Sequence, residues 1–68
     1  MRWEKHIEFN PKILFGKAVI KGTRIPVYLI LEKLANEYKI EEILIAYPNL
    51  TPEKIYACLY FASEKARF

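Results

Sequence analysis

At Pro26 the hydrophobic pattern of this chain changes period, and that one change limits the folds open to it. Ahead of Pro26, apolar positions occur in short runs, Ile7-Glu8-Phe9 and Ala18-Val19-Ile20, separated by Asn10-Pro11, Gly16-Lys17 and Gly22. Such runs read as short strands, and the breakers between them close each strand within a few residues. Behind Pro26, residues Val27, Ile30, Leu31, Leu34 and Ala35 recur at the spacing of one helix face, with Glu32, Lys33 and Asn36 directed away. Pro26 has a fixed φ and no N–H to donate, so it suits the entry to that helix and would spoil its interior.

Two further helices follow. Asn36-Glu37-Tyr38-Lys39 interrupts the pattern, and Ile40 resumes it in a short helix with Glu41 and Glu42 in the first turn. The helix dipole favours acid there. Ile43, Leu44 and Tyr47 face inward, and Pro48 ends the segment. In the third helix, Thr51 is an N-cap, Pro52 occupies the first position and Glu53 adds acid to the first turn. Ile55, Cys58, Leu59, Ala62 and Ala66 make one apolar face, yet Tyr56, Ala57, Tyr60 and Phe61 fill much of the remaining circumference. A helix apolar on nearly all sides is buried on nearly all sides.

That excess of apolar surface has to be covered by something. A chain of 68 residues is one domain and buries a smaller share of its surface than larger domains do. Cys58 and His6 are each the single residue of their type, so neither an intrachain disulfide nor a zinc site of cysteine and histidine is available. Association with a second chain is the remaining support, and with 53% hydrophobic residues the composition supplies it. The expectation is a mainly α fold with short N-terminal β-strands over residues 1–26. A three-helix core over 27–68 follows, with helices of about 11, 7 and 15 residues, the proportions of a helix-turn-helix. It is expected to be a homodimer, with Tyr56, Ala57, Tyr60 and Phe61 at the interface. The uninterrupted apolar runs, such as Val27 to Leu31 and Ile43 to Tyr47, fall far short of a membrane span, and the N-terminus has no apolar stretch for export. A soluble, cytoplasmic protein with no membrane partner is expected.

Charge is distributed unevenly. Residues 1–24 hold six basic side chains against two glutamates, whereas the remainder holds five against six. The positive field therefore belongs to the N-terminal third, which is the face for an acidic partner or nucleic acid. Within it, Lys21-Gly22-Thr23-Arg24 lies between the second strand and Pro26, where Gly22 permits positive φ and holds Lys21, Thr23 and Arg24 out as a polar tip. Such a tip is suited to an anion: a phosphate, a carboxylate on a partner chain, or a helix C-terminus in the same molecule. Lys54 and Arg67 are the candidates on the third helix and just after it. That helix is a poor base reader, since Glu53 repels phosphate and direct readout rests mostly on Arg, Asn or Gln.

Nothing in the chain assembles a catalytic set. There is no aspartate, no histidine in sequence context to activate Cys58 or Ser63, and no glycine-rich phosphate loop, so a non-enzymatic protein without metal or cofactor is expected.

The order of these motifs, Asn10-Pro11, Gly16-Lys17, Val19 to Val27, Glu42-Ile43-Leu44, Tyr47-Pro48-Asn49-Leu50-Thr51 and Ile55 to Tyr60, closely resembles the family catalogued as domain of unknown function 433. Gly22-Thr23-Arg24-Ile25-Pro26-Val27 is the most specific part. Where that family commonly carries a glycine after the first helix, this chain has Glu37-Tyr38-Lys39. The resemblance implies a small prokaryotic protein with a winged or homeodomain-like helix-turn-helix. It also implies an antitoxin: a homodimer that neutralises a PIN-like ribonuclease toxin and binds its own operator DNA. Arg24 or Arg67 would then enter the nuclease's carboxylate cluster. Two other readings stay open: a stand-alone DNA-binding transcriptional regulator, and a dimeric interaction module without DNA binding.

Overall fold

In the computed structural model, residues 1–67 are described. Among them the backbone forms two strands, β1 (Ile7–Phe9) and β2 (Ala18–Ile20), and three α-helices, α1 (Val27–Ala35), α2 (Ile40–Ala46) and α3 (Pro52–Ala66). A single 3₁₀ turn occurs at Trp3–Lys5, and a turn of left-handed backbone at Leu14–Gly16. The fold is mainly helical with a small N-terminal sheet. Both strands lie where the breakers placed them, and the change from extended to helical backbone falls at Pro26, as expected.

β1 and β2 pair antiparallel, with Ile7 opposite Ile20, Glu8 opposite Val19 and Phe9 opposite Ala18. Alternation puts Ile7 and Ile20 on one face, where both are buried. A two-stranded sheet is marginal by itself, and the helices supply the missing layer. Ile30 of α1, Ile43 of α2, Leu50 from the following turn, and Ile55, Ala57 and Cys58 of α3 close over Ile7 and Ile20 in one core.

The helix ends follow local chemistry. Thr51 Oγ1 accepts from the Lys54 N–H at 3.3 Å, which is the expected cap of α3. At the start of α2, Glu42 reaches back to the Lys39 N–H at 2.8 Å. This is half of a capping box, because the Lys39 ammonium has no lone pair with which to complete it. α1 is two residues shorter than expected and leaves Ala35 exposed. It ends with the Tyr38 N–H donating to the Lys33 carbonyl at 3.0 Å and the Glu37 N–H donating to the Leu34 carbonyl at 3.1 Å. That pair of bonds is a Schellman motif, and it places Glu37 at φ 68°.

One expectation is corrected here. Ala57 is completely buried and Phe61 is half-buried, whereas Leu59 and Ala66, expected inward, are exposed. The covering group is Trp3. Its ring meets Phe61 edge-on at 4.9 Å, its indole N–H donates to Glu64, and Phe9 packs on the same Phe61 at 5.8 Å. The N-terminal turn thus takes up part of the side of α3 that carries Ala57 and Phe61: Ala57 is not free for a second subunit, and Phe61 keeps only part of its surface open. What α3 leaves open is Tyr56, Leu59 and Tyr60.

Candidate functional site

The segment between β2 and α1 is a rigid loop whose rigidity comes from its own side chains. The Thr23 N–H donates to the Ile20 carbonyl at 3.0 Å across a turn with Gly22 at φ 80° and Lys21 at negative φ, which is a type II turn. The Thr23 hydroxyl donates to that same carbonyl at 2.7 Å and accepts from the Ile25 N–H at 3.0 Å. Ile20 closes the loop from the other side, its N–H donating to the Ile25 carbonyl at 2.9 Å. Thr23 is therefore an internal brace, half-buried, and the expectation that it projects as part of the tip is corrected.

Lys21 is also engaged. Its N–H donates to the His6 carbonyl at 2.8 Å and its ammonium to the Glu4 carbonyl at 3.2 Å. The Gly22 N–H donates to Glu8 Oε2 at 3.3 Å, tying the turn to β1. Arg24 differs from both: it is exposed and forms no hydrogen bond or ion pair among the described residues. A rigid loop thus presents one guanidinium with its donors unspent.

Arg24 lines a groove of about 470 Å³ together with Glu8, Ile13, Gly22, Thr23, Ile25 and Asn49. Asn49 comes from the turn between α2 and α3, where the Leu50 N–H donates to the Tyr47 carbonyl at 3.0 Å and Leu50 itself is buried. Two runs about twenty-five residues apart, Gly22 to Val27 and Tyr47 to Thr51, therefore meet at one surface. Chemically the groove offers a fork of donors from Arg24, a donor and an acceptor from the Asn49 amide, and one carboxylate already bonded to Gly22. An oxyanion that offers two acceptor oxygens, carboxylate or phosphate, matches the Arg24 fork.

The other two cationic candidates stand apart from this groove. Arg67 follows α3 and shares a cleft of about 320 Å³ with Arg2, Trp3, Glu4, Tyr60 and Glu64, where acid is already at hand. Lys54 is half-buried in the first turn of α3. Asn49 and Glu8 were not among the sequence candidates. Glu8 reads as the polar position of an edge strand, and only the contact with Gly22 shows its second role. Cys58 lies in the core, and burial pushes its thiol up to about 11.

The family described as a protein of unknown function, DUF433, matches residues 7–62. The chain belongs to the DUF433 family. An uncharacterized protein of Sinorhizobium fredii, y4eO, is 40% identical over 53 residues, which are 78% of this chain and 24% of that protein. A crystal structure of a DUF433 member from Anabaena variabilis superposes with a TM-score of 0.83 at 30% identity, covering 90% of this chain and 60% of that one. The chain spans about a quarter of the length of the curated relative and three-fifths of the solved one. The matched DUF433 region runs from β1 into α3 and includes every residue of the Arg24 groove.

Proposed function

We propose that this DUF433 protein is a non-enzymatic, antitoxin-like protein that neutralises a PIN-like ribonuclease, with Arg24 as the group that enters the nuclease. The observation that carries this reading is Arg24 itself, exposed without a side-chain partner among the described residues on a loop where the side chains of Lys21 and Thr23 are already engaged. A PIN-type nuclease gathers carboxylates around Mg²⁺, and a guanidinium placed among them pairs through charge-assisted bonds and displaces the metal. Arg67 is the weaker candidate for that role, since Glu4 and Glu64 share its cleft. α2 and α3 serve as a helix-turn-helix, and the excess of positive charge over residues 1–24 supports operator binding through backbone phosphates. Dimerisation uses Tyr56, Leu59 and Tyr60, which remain open on α3. The pair acts in the cytoplasm; no helix among the described residues is long and apolar enough to cross a membrane.

Co-expression with the product of the neighbouring reading frame tests the reading. A stable complex that is lost in Arg24→Ala supports it, and a complex retained in both Arg24→Ala and Arg67→Ala contradicts it. Binding to the upstream DNA that weakens steeply with salt supports the operator role; absence of binding at low salt removes it.

A further inference from the structure

The Arg24 groove contains more recognition chemistry than one guanidinium. Arg24, Glu8 and Asn49 all line it, and they come from three places in the fold: the loop before α1, the middle of β1 and the turn before α3. Arg24 and Asn49 are exposed, and neither the guanidinium nor the amide has a hydrogen-bond partner among the described residues. Glu8 is half spent: Oε2 accepts from the Gly22 N–H at 3.3 Å, and Oε1 has no partner among the described residues. Ile13 and Ile25, both half-buried, add apolar surface to the lining.

This set is poorly suited to phosphate. The charges of the lining cancel, one cation against one anion. A phosphate site instead gathers several cations or main-chain N–H groups around its anion. A DNA backbone brings acceptors only, so it would gain from Arg24, be repelled by Glu8 and leave the acceptor oxygens of Glu8 and Asn49 unmatched. An Asp or Glu side chain in a polypeptide brings one carboxylate and, beside it, main-chain N–H and C=O groups. Each of those groups has a counterpart in the groove.

We infer that the groove reads an extended acidic segment of a partner protein, and that Glu8 and Asn49 are the residues that select it over nucleic acid. The inference rests on the reading of Arg24 as the group that meets the partner's carboxylate, and adds how that carboxylate is told apart from phosphate. Arg24 forks the carboxylate, and the Asn49 amide, with its donors and its acceptor, matches one peptide unit of the segment. Glu8 Oε1 accepts a neighbouring N–H, and its charge disfavours anions that bring no donor. Ile13 and Ile25 take the aliphatic part of the segment. An extended segment has main-chain groups free for these bonds, whereas a helix has spent them on itself.

The test is an NMR titration of the full ¹⁵N-labelled chain with short synthetic peptides that carry Asp, Asn or phosphoserine between two leucines and are otherwise identical, and with an oligothymidine strand. The Asp peptide is expected to shift the side-chain signals of Arg24 and Asn49 and the Gly22 N–H, and to bind at least about fivefold tighter than the Asn and phosphoserine peptides. Glu8→Gln keeps an acceptor for the Gly22 N–H and should cut the preference over phosphoserine to below about twofold. Asn49→Ala should weaken the Asp peptide about fivefold, with thermal melts unchanged. Equal binding of the Asp and Asn peptides overturns the inference, and so do folded Glu8→Gln and Asn49→Ala variants that behave as wild type. Tighter binding of phosphoserine or oligothymidine at these residues also overturns it and assigns the groove to phosphate. Arg24→Ala separates the two readings. If it abolishes Asp-peptide binding while Glu8→Gln and Asn49→Ala change nothing, Arg24 keeps its role and the selection fails; if it binds the Asp peptide as wild type does, both fail. An Asp peptide that moves none of these signals at millimolar concentration, while the co-expressed complex still depends on Arg24, overturns this inference alone.

Discussion

Replacing Glu37 by glycine should stabilise this protein, and the size of the gain follows from two features of the turn after α1. Glu37 occupies the left-handed position of the Schellman motif at φ 68°, where a side chain costs about 1–2 kcal/mol. Its carboxylate also stands at the negative end of the α1 dipole, an exposed unfavourable placement of about 0.3–1 kcal/mol. Against these, glycine gives the unfolded chain more freedom, at a cost of about 0.5–1 kcal/mol. The balance is a gain of about 1 kcal/mol, or a rise in Tm of about 4–8 °C for a domain of this size. Circular dichroism melts measure it directly. Glu37→Gln removes only the charge and should recover the smaller share, while Glu37→Ala keeps the strained backbone and should gain no more than Glu37→Gln. If Glu37→Gln matched Glu37→Gly, the charge would account for the whole effect and the backbone argument would fail.

Three other substitutions probe separate parts of the account. Thr23→Val removes the hydroxyl that bonds both the Ile20 carbonyl and the Ile25 N–H, and chemical denaturation should show a loss of about 1–3 kcal/mol; an unchanged midpoint would mean the loop is not braced by Thr23. The Cys58 thiol, raised by burial from its ordinary 9.0 to about 11, contributes nothing below pH 9, where it is neutral in both states. Between pH 9 and 11 the unfolded chain ionises first, so stability should fall by roughly 2–3 kcal/mol relative to Cys58→Ala over the same range, read from paired denaturation curves. Leu59→Glu, on the open face of α3, should convert the expected dimer to a folded monomer in sedimentation velocity, whereas a monomeric wild type would rule out that face as an interface.

Much of the backbone was legible because its determinants are local. Pro11, Gly22 and Pro26 bound strands and helices from adjacent positions, and Thr51 caps α3 through an N–H three residues on. The orientation of α3 was not legible. Its burial is set by Trp3, more than fifty residues away, and a helical pattern with apolar residues on both sides is consistent with either rotation. The same holds at the site. That Arg24 projects could be read from Gly22 and Pro26, but Thr23 turns inward only because Ile20 and Ile25 present a carbonyl and an N–H to it. Asn49 joins the groove through packing of Leu50 into the core, which no spacing in the sequence reveals. Leu14 and Phe15 have no glycine at their positions to signal left-handed backbone, so the loop conformation that exposes Phe15 was silent as well.

The central claim is that Arg24 is held out for a partner and contributes nothing to the fold. Measuring the Kd for the neighbouring gene product and the Tm of the free protein, for wild type, Arg24→Ala and Arg67→Ala, tests both halves at once. A buried charge-assisted pair lost at an interface weakens binding by about 2–5 kcal/mol, so Arg24→Ala should bind at least about thirtyfold more weakly with an unchanged Tm. Arg67→Ala should stay within about threefold of wild type. Wild-type affinity in Arg24→Ala, or a loss of affinity matched by a fall in Tm, would contradict the account.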